Sequence, residues 1–510
     1  MRNEGIGSWT ARRARTSPER MAVIHEGTRH TYAELHERVL RLAAVLRELG
    51  VRRGDRVAYL GANHPALLES LFACGALGAI FVPLNTRLAV PELAYMLHDS
   101  GTHLVLHGVE HEPQARELLS TGQISTAIGV TDPGPDGYEQ RLVDALPQPL
   151  DTRVGLEEPC MIMYTSGTTG RPKGAVLTHG NITWNCVNVL LDVDLTADEV
   201  TLVSAPMFHT AALNMTCLPT LLKGGRLVIA PRFTPDLALD LIEKERITWM
   251  FGVPAMFNAL ATSPRWTDAD LSSLRMLEAG GAPVPESTIR TYQERGLTFL
   301  QGYGMTEASP GVLFLGEADS VRKAGTAGRP SFFTDARVAR PDGSTAAPEE
   351  PGEMVVRGPN IMYGYWGRDD ATEITRTDDG WFRTGDVAVA DAEGFVRIID
   401  RLTDMFISGG ENVYPAEVEN VLHAHPAVDD CAVVGVPDAT WGEVGHAHVI
   451  VHDGSSVTDE ELVEHCRTRL ARYKTPVFFS FVSELPRNAS GKLLRHRLRH
   501  SPRPPTTNAS

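Results

Sequence analysis

Between Thr31 and Gly50, apolar residues recur at Leu35, Val39, Leu42 and Leu46 with polar residues between them, which is one face of a helical period. Thr31 and Glu34 form a capping box and Gly50 is a terminator, so the stretch predicts an amphipathic helix. An apolar run at 56–60, a helical pattern over 66–78 and a second run at 79–85 then repeat strand, helix, strand. The rhythm continues through 201–206, 226–230, a helical 236–246 and 248–252, and such alternation predicts α/β layers. After about residue 320 the pattern changes to short strands between Gly and Pro turns, at 336–344, 352–360 and 394–400, predicting a small β-rich subdomain. Past Arg401 it changes again. Helices are expected over 416–425 and 458–474 and strands over 431–436 and 446–451, an independent α+β unit of about 100 residues.

The expected organisation is therefore a large N-terminal α/β domain over 1–400 with its β-rich part, a small C-terminal α+β domain over 401–500, and a disordered tail over 501–510. The N-terminal segment is rich in Arg and lacks an apolar core, which reads as a capped surface helix rather than a targeting signal. The longest apolar stretch, 71–84, carries glycines and Pro83 and is too short to span a bilayer, so no integral membrane association is expected.

Composition narrows the function classes. A chain of 510 residues with 42% hydrophobic, 22% charged and 7% aromatic residues is an ordinary globular protein of several structural units. Lys and Arg number 48 against 64 Asp and Glu, and the net charge of -16 repels phosphate backbones, which disfavours nucleic-acid binding. Six cysteines stand singly with no CxxC pair, as buried thiols of a reducing compartment do, and a cytoplasmic location is expected.

The chemistry concentrates in a few strings. Residues 165–174 read Thr-Ser-Gly-Thr-Thr-Gly-Arg-Pro-Lys-Gly and follow a strand-like run, combining four hydroxyls, three glycines and one lysine in ten residues. Glycines let backbone N–H groups approach an anion, hydroxyls add donors and Lys173 adds a point charge, a phosphate-binding combination without the Walker A spacing. In order along the chain come Pro206-Met-Phe-His209, Gly280-Gly-Ala-Pro283, Gln301-Gly-Tyr-Gly-Met-Thr-Glu307, Trp381-Phe-Arg-Thr-Gly-Asp386, Asp400-Arg401, Ser408-Gly-Gly-Glu-Asn-Val-Tyr-Pro415 and Pro486-Arg-Asn-Ala-Ser-Gly-Lys492. This ordered set resembles the adenylate-forming superfamily of acyl-CoA synthetases, amino-acid adenylation domains and luciferases. The nearest likeness is to bacterial feruloyl-CoA synthetases and fatty acyl-CoA synthetases.

The resemblance implies ATP, Mg²⁺ and coenzyme A as reaction partners and gives each motif a role. Thr165, Ser166, Gly167, Thr168, Thr169 and Lys173 would hold the phosphates, with Gly281, Ala282, Pro283, Gln301, Gly302, Tyr303, Asp386 and Arg401 around the nucleoside. Tyr303 would stack on adenine and Asp386 would accept the ribose hydroxyls, while Thr306 meets the α-phosphate and Glu307 binds the metal. Lys492 would be the catalytic cation, stabilising the charge that gathers when a carboxylate approaches the α-phosphate. His209, Ala211, Glu278, Gly302 and Gly304 would line the acyl site, and Ser408, Gly409, Gly410, Arg472 and Lys474 the path of coenzyme A.

A lysine needed at the adenylate in one half-reaction must make way for a thiol in the next, which the superfamily achieves by rotating its C-terminal domain. The hinge would lie near 401–403, at Thr403, where family members usually carry Asp or Lys. The expected activity is ligation of a bulky hydrophobic carboxylic acid, aromatic, fatty or of specialised biosynthetic type, to coenzyme A through an acyl-adenylate. Loading of an acyl carrier protein is the alternative. An amino-acid substrate is disfavoured, because Met207, Phe208, His209 and Thr210 supply no Asp for an ammonium. A degenerate binding protein is disfavoured by the joint presence of Lys173, Glu307, Asp386 and Lys492. Plant hydroxycinnamate ligases have an aromatic residue where Ala211 lies and a basic one near Glu278, so this chain departs at both. Ala211→Tyr is therefore expected to shrink the accepted acid. A panel of acids of graded size read as kcat/KM checks it, and an unchanged profile would place the pocket wall elsewhere.

Overall fold

The computed structural model describes residues 3–148, 152–165, 171–281, 284, 286–401, 406–413, 415–452, 454–486 and 495–499. They fall into two compact units. The first comprises 1–86, 97–163 and 174–400, and the second 87–96, 164–173 and 401–510.

The first unit is built on two large sheets. In one, Phe299–Gly304, Met276–Ala279, Trp249–Gly252, Val200–Val203, Arg226–Ile229 and Met21–His25 run parallel in that order, and antiparallel strands close both edges. In the other, Pro159–Thr165, Ile80–Pro83, Arg56–Leu60, Leu104–His107 and Thr126–Gly129 form a parallel core. Parallel sheets are covered by helices on both faces, which is why their strands read as continuous apolar runs. A separate four-stranded sheet of Asp335–Ala339, Gly352–Arg357, Phe382–Ala390 and Val396–Arg401 follows the change of pattern near residue 320.

The helix predicted from Thr31 is Tyr32–Glu48 with both bonds of its capping box present, and Leu35, Val39, Leu42 and Leu46 are buried. The longest apolar stretch divides between Pro65–Leu77, a helix buried on every side, and the strand Ile80–Pro83. Among the described residues no helix is long and apolar enough to cross a membrane. The N-terminal segment is less of a surface element than its polarity suggests. Ile6 and Trp9 are buried, and a Cβ on Gly7 would lie 2.2 Å from the backbone of Gly75, so only glycine permits this contact with the core helix.

In the second unit, Phe406–Ser408, Glu411–Val413, Val428–Asp438, Gly442–Val451 and Phe478–Phe481 form one sheet. Helices Pro415–His423 and Asp459–Arg467 accompany it. The second helix stops earlier than its sequence predicts. The Thr468 hydroxyl bonds back to the carbonyls of Glu464 and His465, and the chain then turns through Arg472–Lys474.

One buried ion pair ties the first unit together. Glu69, fully buried in helix Pro65–Leu77, accepts from Arg38 at 2.6 and 3.2 Å and from the Tyr138 hydroxyl. Arg38→Ala removes the cation and leaves the carboxylate inside, so a loss of about 3–5 kcal/mol is expected. Denaturant unfolding measures it, and a change under about 1 kcal/mol would mean that water reaches Glu69.

Candidate active site

The first unit gathers its polar groups where the parallel strands end. Strand Phe299–Gly304 carries Gln301, Gly302, Tyr303 and Gly304, and the turn Thr306–Ala308 follows it directly. The Tyr303 hydroxyl donates to Asp386 Oδ2 at 2.5 Å across 83 residues of sequence. Asp386 lies in strand Phe382–Ala390 beside Gly385, whose φ of 73° is the left-handed conformation that glycine tolerates. Glu307 Oε1 accepts from the Tyr365 hydroxyl at 2.8 Å, and the Glu307 carbonyl accepts from Met362 N at 2.7 Å. Tyr365 was not among the expected residues, although the aromatic and glycine run of 363–367 was a readable signal for it.

Among the described residues no cluster of three His, Cys, Asp or Glu is placed to hold a metal unaided. A single carboxylate steadied by a tyrosine fits a cation that takes its other ligands from phosphate and water, the usual manner of Mg²⁺. Gly304 has a structural reason of its own, since a Cβ there would collide with the Pro310 carbonyl at 2.0 Å.

Asparagines hold this region in place. Helix His179–Asp192 carries Asn181, Asn185 and Asn188, which bond respectively to the carbonyls of Pro359 and Ile361, to Gly311 N and the Asn214 carbonyl, and to Phe333 N and the Thr334 hydroxyl. Asn360 donates to the carbonyls of Ala308 and Gly311 at 2.9 and 2.7 Å, which fixes the loop carrying Glu307. Asn63 spans the carbonyls of Ala205 and Ala230 and Met207 N, positioning the segment that leads to His209.

His209 packs against Phe208 with ring centroids 4.5 Å apart and is half-buried. Ala211 opens a π-helical stretch, Ala211–Cys217, in which the Thr216 hydroxyl reaches the Ala211 carbonyl at 3.2 Å. Such stretches are frequent at functional sites. Glu278, on strand Met276–Ala279, has no exposed surface, and neither carboxyl oxygen has a hydrogen-bond partner among the described residues. Burial, with a smaller contribution from the Asp192 charge, raises its pKa to about 8. Burial likewise raises Asp192 to about 6.

In the second unit, Thr165 ends strand Pro159–Thr165 and Lys173 begins strand Lys173–Thr178. Tyr95 secures the segment before Lys173: its hydroxyl donates to the Pro172 carbonyl at 3.2 Å and its ring lies 5.8 Å from the Arg171 guanidinium. Ser408 is buried, and Gly409 and Gly410 have φ of 59° and 82°. A Cβ on Gly409 would meet the Trp441 ring at 2.7 Å, so this glycine seats a tryptophan that is itself half exposed. Arg472 is exposed.

Lys474, expected on the path of coenzyme A, is more enclosed than its neighbour Arg472. It is buried, with its ammonium 2.8 Å from both Glu92 and Glu417. Burial alone would lower its pKa, but the two carboxylates outweigh that and raise it. A group so engaged has its charge offset within the protein. Ser166, Gly167, Thr168, Thr169, Ala282, Pro283, Thr403 and Lys492 lie outside the described residues, as do the Arg401 side chain and the tail over 501–510. All six cysteines are buried free thiols, as the sequence implied.

Comparison with known proteins accords with this arrangement. Residues 10–366 match the family described as AMP-binding enzyme, and 417–492 match the AMP-binding enzyme C-terminal domain. The chain is 56% identical over 500 residues to a feruloyl-CoA synthase of an Amycolatopsis species, covering 98% of this chain and 99% of that one. It is 39% identical over 499 residues to a long-chain-fatty-acid–CoA ligase of Mycobacterium tuberculosis, covering 97% and 98%. A solved structure of a double mutant of o-succinylbenzoate CoA synthetase from Bacillus subtilis, bound to a product analogue, superposes with a TM-score of 0.88 at 35% identity, covering 97% of this chain and 99% of that one. The adenylate-forming fold expected from the motifs is the fold observed.

The raised pKa of Glu278 has a consequence for stability. Unfolded, the carboxyl ionises near its ordinary 4.5, whereas folded it keeps its proton to about 8. The native state therefore binds more protons between these values, and stability falls as pH rises through that window. Glu278→Gln, which cannot ionise, should gain on the parent progressively from about pH 4.5 to 8. Thermal unfolding of both proteins across this range is the check, and parallel curves would show that the carboxyl ionises normally.

Proposed function

The chain belongs to the AMP-binding enzyme family as a CoA ligase, and from that premise we propose that it activates an aryl carboxylic acid of the hydroxycinnamate type through an acyl-adenylate. The observation that carries the reading is the convergence of Tyr303, Asp386, Thr306 and Glu307 at the ends of the parallel strands. In open α/β sheets that edge is where ligands bind. The identity of 56% to a feruloyl-CoA synthase supports the aryl class over a fatty one.

In the first half-reaction the substrate carboxylate attacks the α-phosphate of ATP, giving acyl-AMP and pyrophosphate. Tyr303 offers its ring to adenine, and Asp386 and Arg401 accept and donate at the ribose, with Gln301, Gly281, Ala282 and Pro283 bordering the base. The 165–169 segment and Lys173 hold the outgoing phosphates by backbone and side-chain donors. Glu307, steadied by Tyr365, would hold Mg²⁺, whose charge offsets that of the triphosphate when bound. Thr306 and Lys492 donate to the α-phosphate, where charge from two anions accumulates. The enzyme needs no nucleophile of its own, because the carboxylate is the nucleophile and the protein positions it and neutralises charge.

In the second half-reaction the coenzyme A thiol attacks the mixed anhydride and AMP departs. Ser408, Gly409 and Gly410 border the thiol arm, and exposed Arg472 is free in position to meet the outer phosphates. Thr403 lies at the hinge that exchanges Lys492 for the thiol. His209, Ala211, Gly302, Gly304 and Glu278 surround the acyl group. The reducing compartment suited to six free thiols supports a cytoplasmic enzyme.

Lys492→Ala should lower adenylation on the order of 10²-fold or more while leaving thioester formation from supplied acyl-AMP in place. Pyrophosphate release and thioester formation measured separately provide the test. An equal loss in both would remove the two-step assignment, and acyl-AMP without thioester in the parent enzyme would favour a carrier protein as acceptor.

A further inference from the structure

Glu278 is the one fully buried carboxyl in the first unit's described residues with both oxygens unpaired. A buried polar group without a partner costs roughly 1–3 kcal/mol, and native structures keep few of them. Its neighbours across the strands are apolar. Leu300 is its register partner on the neighbouring strand, and Trp249, Met276, Leu300, Phe314, Met215 and Val189 make one hydrophobic cluster on this side of the sheet. Trp249 adds a second unpaired polar atom, its Nε1.

Toward the strand ends this face carries glycines flanked by aromatic rings: a Cβ on Gly280 would lie 3.3 Å from the ring of Phe251, the register partner of Glu278 on its other side, and one on Gly302 would lie 3.9 Å from Phe314. Gly280 follows two residues after Glu278, just past the end of its strand, and Gly302 follows two residues after Leu300 on the next. Successive residues alternate between faces, so Gly302 shares the Glu278 face within its strand and Gly280 continues that face at the strand end. A Cβ on Gly302 would lie 3.3 Å from Glu278 Oε1, and one on Gly280 would lie 3.3 Å from the Gly302 carbonyl. The carboxyl therefore reaches up beside Gly302, and the two residues from there to the strand end at Gly304 rise roughly 7 Å.

We infer that Glu278 is the specificity residue for a hydroxyl at the far end of an aryl acid substrate, the phenolic group of a 4-hydroxylated cinnamate entering along the Gly280 and Gly302 face. The inference rests on the reading that this enzyme activates aryl acids. A neutral carboxyl both donates and accepts, as does a phenol, so the two form a reciprocal pair. The raised pKa of Glu278 accords with a neutral partner rather than an ammonium. Asp192, the other titratable group acting on Glu278, is engaged with Ser331 and is the nearest rival partner. An acid ending in hydrogen or methyl would leave the carboxyl unpaired in the complex, and such a mismatch is discriminated strongly.

The test is kcat/KM of the full chain for 4-hydroxycinnamate and for cinnamate, read as CoA-thioester formation. The parent should prefer the hydroxylated acid on the order of 10²-fold or more. Glu278→Leu should collapse that ratio to within about threefold, and Glu278→Gln, which still donates and accepts, should keep a preference above tenfold. A parallel fall on both acids with the ratio intact would make Glu278 a structural residue and overturn the inference. A ratio near one in the parent would overturn it without any variant, so the question survives if Glu278→Leu does not fold. Turnover of neither cinnamate, with other acids accepted, would overturn the aryl-acid reading itself.

Discussion

The site depends on how loop backbone is satisfied once a parallel sheet ends. Within the strands each N–H and C=O meets a ladder partner, but at the C-terminal edge the chain must leave the sheet and still bury its polar groups. Asparagine amides replace the missing ladder. Each carries a donor and an acceptor at fixed spacing, which lets one side chain bridge two backbone groups. Asn181, Asn185 and Asn188 are spaced i, i+4, i+7 on helix His179–Asp192 and form a buried polar stripe facing loops 308–311, 331–334 and 359–361. Asp192 continues the stripe by one more turn and brings it to Glu278. The loop bearing Glu307 is thus held from two sides, by this helix and by Asn360.

Much of this was legible in the chain, and what was not had a physical cause. Helix Tyr32–Glu48 was readable because its cap and its apolar face are encoded locally and agree. The motif residues Tyr303, Glu307 and Asp386 were readable because they sit in or beside glycine-punctuated segments. Their pairing across 83 residues was not readable, since only the tertiary fold brings strands Phe299–Gly304 and Phe382–Ala390 together. The asparagines were missed because single amides belong to no motif, although a polar residue on each successive turn of an otherwise apolar helix is itself a pattern. The helix end at Arg467 was overrun because Thr468 has no local signal strong enough to stop a periodic sequence.

Lys474 and Glu278 show how burial separates structure from recognition. Both are ionisable residues with almost no exposed surface. Lys474 meets two carboxylates at 2.8 Å, so its desolvation is offset within the protein and no substrate is needed to complete it. Sequence alone does not show this, because both carboxylates lie far from it along the chain. Glu278 has no such compensation, and its neighbours along the face are glycines rather than partners. A fold that supplies asparagine amides to the carbonyls of Ala308, Gly311, Pro359 and Ile361, yet leaves this carboxyl bare, reserves its hydrogen bonds for something that arrives from outside.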